Sequence, residues 1–220
     1  MQSQTRLNPT KYFKLQIPEP SDICLHKSGK SLFIVSDRGI VYETDFEGKI
    51  LRKSEQKPYD FEAITFTEGN ELVVADESKN VICMYDVNVL KIKEIFRTEI
   101  KTSPKNGIEA ICEIADGKIV IVTEKKPVDM FIYSYDFDLL EKKKPLVPKD
   151  ISAACYYNNR LWLLSDEDAS LYLMKDDFVT IAKSWKLPFS SLEGLAFDTD
   201  GNLYVVSDHS SILYVFDPIK

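Results

Sequence analysis

Apolar residues along this chain fall in short bursts separated by polar turns, and helical periodicity is nearly absent. Five segments carry the same pattern: SDICLHKSGKSLFIVSD from Ser21, EAITFTEGNELVVADE from Glu62, EAICEIADGKIVIVTE from Glu109, SAACYYNNRLWLLSD from Ser152 and EGLAFDTDGNLYVVSD from Glu193. Each reads as an apolar strand, a turn, and a second apolar strand ending in an acid. Their starts are 41, 47, 43 and 41 positions apart. The turns carry Gly29, Gly69, Gly117, Asn159 and Gly201, residue types that tolerate positive φ in a tight hairpin. A third strand is predicted at Ile40–Thr44, Val81–Tyr85, Met130–Tyr135, Leu171–Met174 and Ile212–Phe216, each followed by or ending at an aspartate that opens a turn. A fourth is readable at Lys49–Lys53, Lys91–Arg97 and Phe178–Trp185, and is poor around Glu141–Val147.

Four-stranded units at this spacing predict an all-β fold, a β-propeller with five antiparallel blades in a single domain over 1–220. The fifth unit reads only three strands before the sequence ends, and the alternating segment Tyr12–Ile17 is the expected donor of its outer strand. A six-bladed ring is the alternative, but no interval has room for another repeat. One position after each start stand Asp22, Ala63, Ala110, Ala153 and Gly194; three positions after stand Cys24, Thr65, Cys112, Cys155 and Ala196. Small residues suit inner strands that converge on an axis. Three of the four cysteines are therefore read as spacers, with no disulfide expected.

Composition narrows the function. The chain is 44% hydrophobic and carries 35 acidic against 28 basic residues, a net charge of −7. That charge disfavours nucleic acid. Two histidines, His26 and His209, leave little for a multi-histidine metal centre. No apolar run approaches the ~20 residues of a membrane span, and no secretory signal is read at Met1–Tyr12. A Walker loop, a nucleophile elbow and zinc-type CxxC spacing are all missing from the sequence.

The contexts PSDICL, DFEAITF, GIEAIC, DISAAC and LEGLAF, paired with IVSD, VVADE, IVTE, LLSDE and VVSD, resemble the SdiA-regulated, or YjiK-like, family of bacterial propeller proteins. Asp22, Ala63, Ala110 and Ala153 depart from the glycine that the family often has. The resemblance implies a propeller with a site, but no particular reaction. Relatives in that family are often exported or membrane-anchored, which leans the expected location toward the periplasm or cell envelope.

In a propeller, inner-strand starts and second-strand ends share one channel mouth. Ser21, Glu62, Glu109, Ser152 and Glu193 should therefore meet Asp37, Asp76 or Glu77, Glu124, Asp166 and Asp208, with His209 beside them. So many carboxylates need raised pKa values, basic partners such as Arg38, Lys79, Lys125 and Lys126, or a bound cation. Calcium, which takes six to eight oxygen ligands, suits such a mouth better than magnesium. Glu62, Glu109, Glu193, Asp37, Asp76, Glu124, Asp166 and Asp208 are the expected metal ligands; Ser21, Ser152, Glu77 and His209 are the expected ligand-binding residues. The expected function is a non-catalytic, monomeric binding propeller for a divalent cation or small ligand, with rim loops open to a protein partner. The alternative is a calcium-dependent hydrolase of phosphate esters or lactones, with a carboxylate as base. The aspartates that follow the third strands, Asp45, Asp86, Asp136, Asp176 and Asp217, belong at the opposite face as turn residues.

Overall fold

The computed structural model describes residues 5–100, 107–125 and 127–219. Its strands form five sheets, each built on four antiparallel strands. Blade 1 runs through Pro20–Leu25, Leu32–Ser36, Ile40–Thr44 and Ile50–Lys53, and blade 2 through Phe61–Phe66, Glu71–Asp76, Val81–Asp86 and Lys91–Arg97. Blade 3 comprises Ile108–Glu113, Ile119–Thr123, Met130–Tyr133 and Leu139–Lys143. Blade 4 comprises Ala153–Tyr157, Arg160–Ser165, Ser170–Met174 and Ile181–Lys186. Blade 5 joins Leu192–Phe197, Leu203–Ser207 and Ile212–Phe216 to Lys11–Lys14, from the other end of the chain. This is a five-bladed β-propeller.

Five apolar clusters fill the five junctions between neighbouring blades, which closes the ring. The second and third strands are buried on both faces, so they read as continuous apolar runs. Close approach at the axis explains the small inner residues. A Cβ on Gly194 would lie 2.6 Å from the Cα of Asp22, in backbone that cannot give way.

Closure follows the expected route. Lys11, Tyr12, Phe13 and Lys14 pair with Val215, Tyr214, Leu213 and Ile212, and the next apolar residues, Leu15 and Ile17, are buried between blades 5 and 1.

Several local readings change. Thr5–Arg6 adds a fifth, parallel strand to blade 4, where two polar residues give no strand signal. The fourth strand of blade 3 exists at Leu139–Lys143, although its side chains are mostly exposed and so lack alternation. The blade 4 outer strand begins at Ile181 because Phe178 turns at φ 58. In the second hairpin Asn70, not Gly69, takes the positive φ; Gly69 makes room instead, since a Cβ there would lie 2.5 Å from the Tyr135 hydroxyl. His26 is half-buried, its ring 4.9 Å from that of Phe66. Among the described residues, no helix is long and apolar enough to cross a membrane.

Candidate functional site at the acidic channel mouth

One local feature recurs at the ring residues. In blades 1, 2, 3 and 5 the pairing between first and second strands slips by one residue, at Ser21, Glu62, Glu109 and Glu193. A bulge leaves its residue without a partner and re-aims its side chain. That is how an inner strand inside a packed ring carries a glutamate at its mouth. Ser152 lies just before the first strand of blade 4, and its hydroxyl donates to Leu192 O at 2.7 Å.

The acids gather into connected groups. Asp37, Asp60 and Glu62 each offer a carboxylate oxygen, and these oxygens all lie within 4.8 Å of one another. The Ser21 hydroxyl donates to Asp37. Next around the ring, the Glu77 and Glu109 carboxyl groups face each other closely enough for each to act on the other's charge. Glu124 also bears on Glu109. Glu193 faces Asp166, Asp208 and Asp150.

Burial first, and then these neighbours, push the carboxyl pKa values up. Glu109 reaches about 9, with Glu77 and Glu124 as its main charged neighbours. Glu193 reaches about 8, through Asp166 and Asp208. Glu62 rises well above its ordinary value, with Asp37 and Glu109 adding to burial. Asp37, Asp60, Glu77 and Asp166 rise too, burial again leading.

Of the expected basic partners, Lys125 meets a ring acid, Glu124, while Arg38 and Lys79 are engaged elsewhere. Arg38 pairs with Glu19 at 2.7 Å. Lys79 donates to Pro58 O and lies over the Tyr59 ring. Lys125 pairs with Glu124 and Glu167, while Lys126 lies outside the described residues. Among the described residues, no ion pair includes Glu62, Glu109 or Glu193.

The other expected site residues have structural duties. Asp76 is fully buried and accepts from the amides of Asp60 and Lys79 and from the Ser78 hydroxyl, so its carboxylate serves its own turn and Glu77 faces the mouth. Asp166 caps the start of blade 5 through the Leu192 amide at 3.1 Å. The Asp208 carboxylate accepts from the amide of exposed His209. At the far face, Asp45 and Asp86 cap their own turns, as expected of that set.

Three acids escaped the sequence reading. Asp60 stands two residues before Glu62, a period-two signal inside the DFEAITF motif. Asp150 is buried and accepts from Ser165 Oγ and the amides of Asp166 and Glu167. Asp22 occupies a position of otherwise small residues, where its buried carboxylate accepts from the amides of Ile23 and Ile64, both at 2.8 Å, and from that of Leu195. It ties together the inner strands of blades 1, 2 and 5, and burial raises its pKa well above the ordinary range.

Solved structures share the architecture. The glutaminyl cyclase of Myxococcus xanthus superposes with a TM-score of 0.79 at 11% identity, over 99% of this chain and 100% of that one. The β-propeller domain of Cps50 (Swd1) from Myceliophthora thermophila gives 0.62 at 10% identity, over 97% of this chain and 100% of that one. Virginiamycin B lyase from Staphylococcus aureus gives 0.57 at 16% identity, over 95% of this chain and 70% of that one. Such identities carry the fold alone. Among curated proteins no significant sequence match is found. The sequence profile of one family, SdiA-regulated, matches residues 17–217, nearly the whole propeller, and the chain belongs to that family.

Proposed function

We propose that the protein is a binding propeller whose acidic mouth holds a divalent cation, calcium by preference, at Asp37, Asp60 and Glu62. The observation that carries this reading is the convergence of their three carboxylate oxygens within 4.8 Å. Two ionised carboxylates at that separation repel by about 3 kcal/mol at an effective dielectric of 20. Three such pairs cannot stay ionised without a counter-charge. Calcium binds oxygen at 2.3–2.6 Å, so about 5 Å spans two ligands on opposite sides of the ion. Magnesium, at 2.0–2.1 Å and strictly octahedral, would need the group drawn tighter. Three carboxylates also leave coordination positions for water or for an oxygen-bearing ligand. Without the ion, protons stand in for it, which agrees with the raised Glu62, Asp37 and Asp60.

Calorimetric titration of chelated protein with calcium tests the assignment. Asp60→Asn and Glu62→Gln should each weaken binding by tenfold or more, about 1.4 kcal/mol, whereas Glu193→Gln, outside the triad, should change it little. Equal effects from all three variants would refer the binding to the overall charge instead.

A second reading rests on the Glu77–Glu109 pair. A carboxyl that keeps its proton to about pH 9 is a general acid poised beside the cation site. With a bound ion to reverse the local charge, that pair would serve a calcium-dependent hydrolase of phosphate esters or lactones. Turnover of phosphate-ester and lactone substrates that needs calcium and falls in Glu109→Gln would favour it; no turnover leaves the binding reading.

A further inference from the structure

The channel end opposite the acidic mouth opens on a cavity of about 830 Å³, lined by the last residues of all five inner strands and by the hairpin turns of blades 2 to 5. That volume lies within the usual range for small-molecule sites. Its chemistry differs from that of the mouth. Cys24, Cys112 and Cys155 line it from three different blades, all of them free thiols. Burial drives their pKa values up, to about 12 for Cys155, so the sulfurs stay neutral. Phe66, Tyr156 and Tyr157 line it with their rings only partly buried. Tyr157 is held flat against Phe197 with centroids 4.5 Å apart. Partly exposed aromatic walls inside a concavity favour an apolar or cationic guest.

Charge selects further. The carboxylates around the cavity are Glu68, Glu113, Asp116 and Asp198, and Asp22 lies beneath it, two residues before Cys24. Asp198 is occupied by its own turn, through the amides of Asp200 and Asn202 and the Tyr204 hydroxyl. Asp116 has Lys118 at 3.9 Å. Lys27 donates to the Glu68 backbone carbonyl, and its charge also bears on Glu113. Glu113 is different. One oxygen accepts from the Glu68 amide at 2.7 Å, while Oε1 is shielded from water without a hydrogen-bond partner. A buried acceptor left unpaired costs about 1–3 kcal/mol, which a donor from a guest would recover. Turning the carboxyl to bring Oε1 to the cavity gives up the Glu68 amide bond, so the guest's ammonium must replace that bond as well.

We propose that this cavity binds a small organic cation, a primary amine carrying an aromatic or aliphatic body. The ammonium sits on the Glu113 carboxyl, and the body lies against Phe66, Tyr156 and Tyr157 over the neutral thiols. The site is separate from the acidic mouth and does not depend on a cation there.

Phenethylamine is the probe, measured by calorimetry on the full chain with 3-phenylpropionate as the anionic isostere. Binding should weaken about tenfold or more in Glu113→Gln, the loss of a charge-assisted hydrogen bond, and stay within about twofold in Glu62→Gln. The anionic isostere should bind at least about tenfold more weakly, since the change reverses the sign against the same carboxylates. No binding at millimolar phenethylamine overturns the proposal. So does binding that Glu62→Gln abolishes and Glu113→Gln spares.

Discussion

Deleting residues 1–17 removes the outer strand of blade 5 and, with it, two side chains from the junction of blades 5 and 1. Leu15 is 3% exposed and Ile17 1%. Burial of each stabilises the fold by about 1.5–3 kcal/mol, so together they supply about 3–6 kcal/mol. The four-residue ladder against Ile212–Val215 is lost as well, leaving an apolar strand as a bare edge. A domain of ordinary stability has about 5–15 kcal/mol in total. The shortened chain should therefore melt far below the parent and aggregate on heating. Removing residues 1–6 is the control, because Thr5 and Arg6 are exposed and only extend blade 4. That deletion should cost under about 1 kcal/mol, as surface changes usually do. Ile17→Ala isolates the packing contribution at about 2–5 kcal/mol. Urea unfolding of the four proteins measures all of these. An unchanged midpoint for the 1–17 deletion would refute the closure, and a large loss for the 1–6 deletion would show that blade 4 needs its extra strand.

Stability should also depend on pH with a definite sign. Glu109 and Glu193 hold protons up to about 9 and 8 when folded, whereas an unfolded glutamate releases its proton near about 4.3. The folded state binds more protons across that window, so metal-free protein should lose stability as pH rises from about 5 to 9; a flat urea midpoint over that range would contradict the raised values. Asp22→Ala leaves the Ile23 and Ile64 amides without their acceptor and should cost about 1–3 kcal/mol by urea unfolding. Gly194→Ala forces a Cβ into the backbone of blade 1 and should cost at least about 1–3 kcal/mol in the same assay.

The ring was legible in the sequence because two periodicities coincide, one of two residues within strands and one of about forty between blades. The spacing of the inner-strand acids marked the mouth for the same reason. Asp60 went unread because it lies just before the aligned repeat, although its two-residue offset from Glu62 was visible. The bulges have no residue signature, yet they turn Glu62, Glu109 and Glu193 toward the channel. Asp76 carried the same strand-end signal as its counterparts, and only the position of the Asp60 and Lys79 amides shows that its carboxylate belongs to the turn. The Thr5–Arg6 strand depends on a neighbour 180 residues away, information that local polarity does not hold. The cavity at the far face was read only as small spacers, because the concavity arises from five strands ending together.

The most direct test of the cation site is a crystal of chelated protein soaked in calcium, with anomalous differences calculated at a long wavelength. The account predicts a peak within 2.3–2.6 Å of carboxylate oxygens from Asp37, Asp60 and Glu62, lost in crystals of Asp60→Asn. A featureless mouth at saturating calcium, or a peak that sits elsewhere and persists in Asp60→Asn, would contradict it.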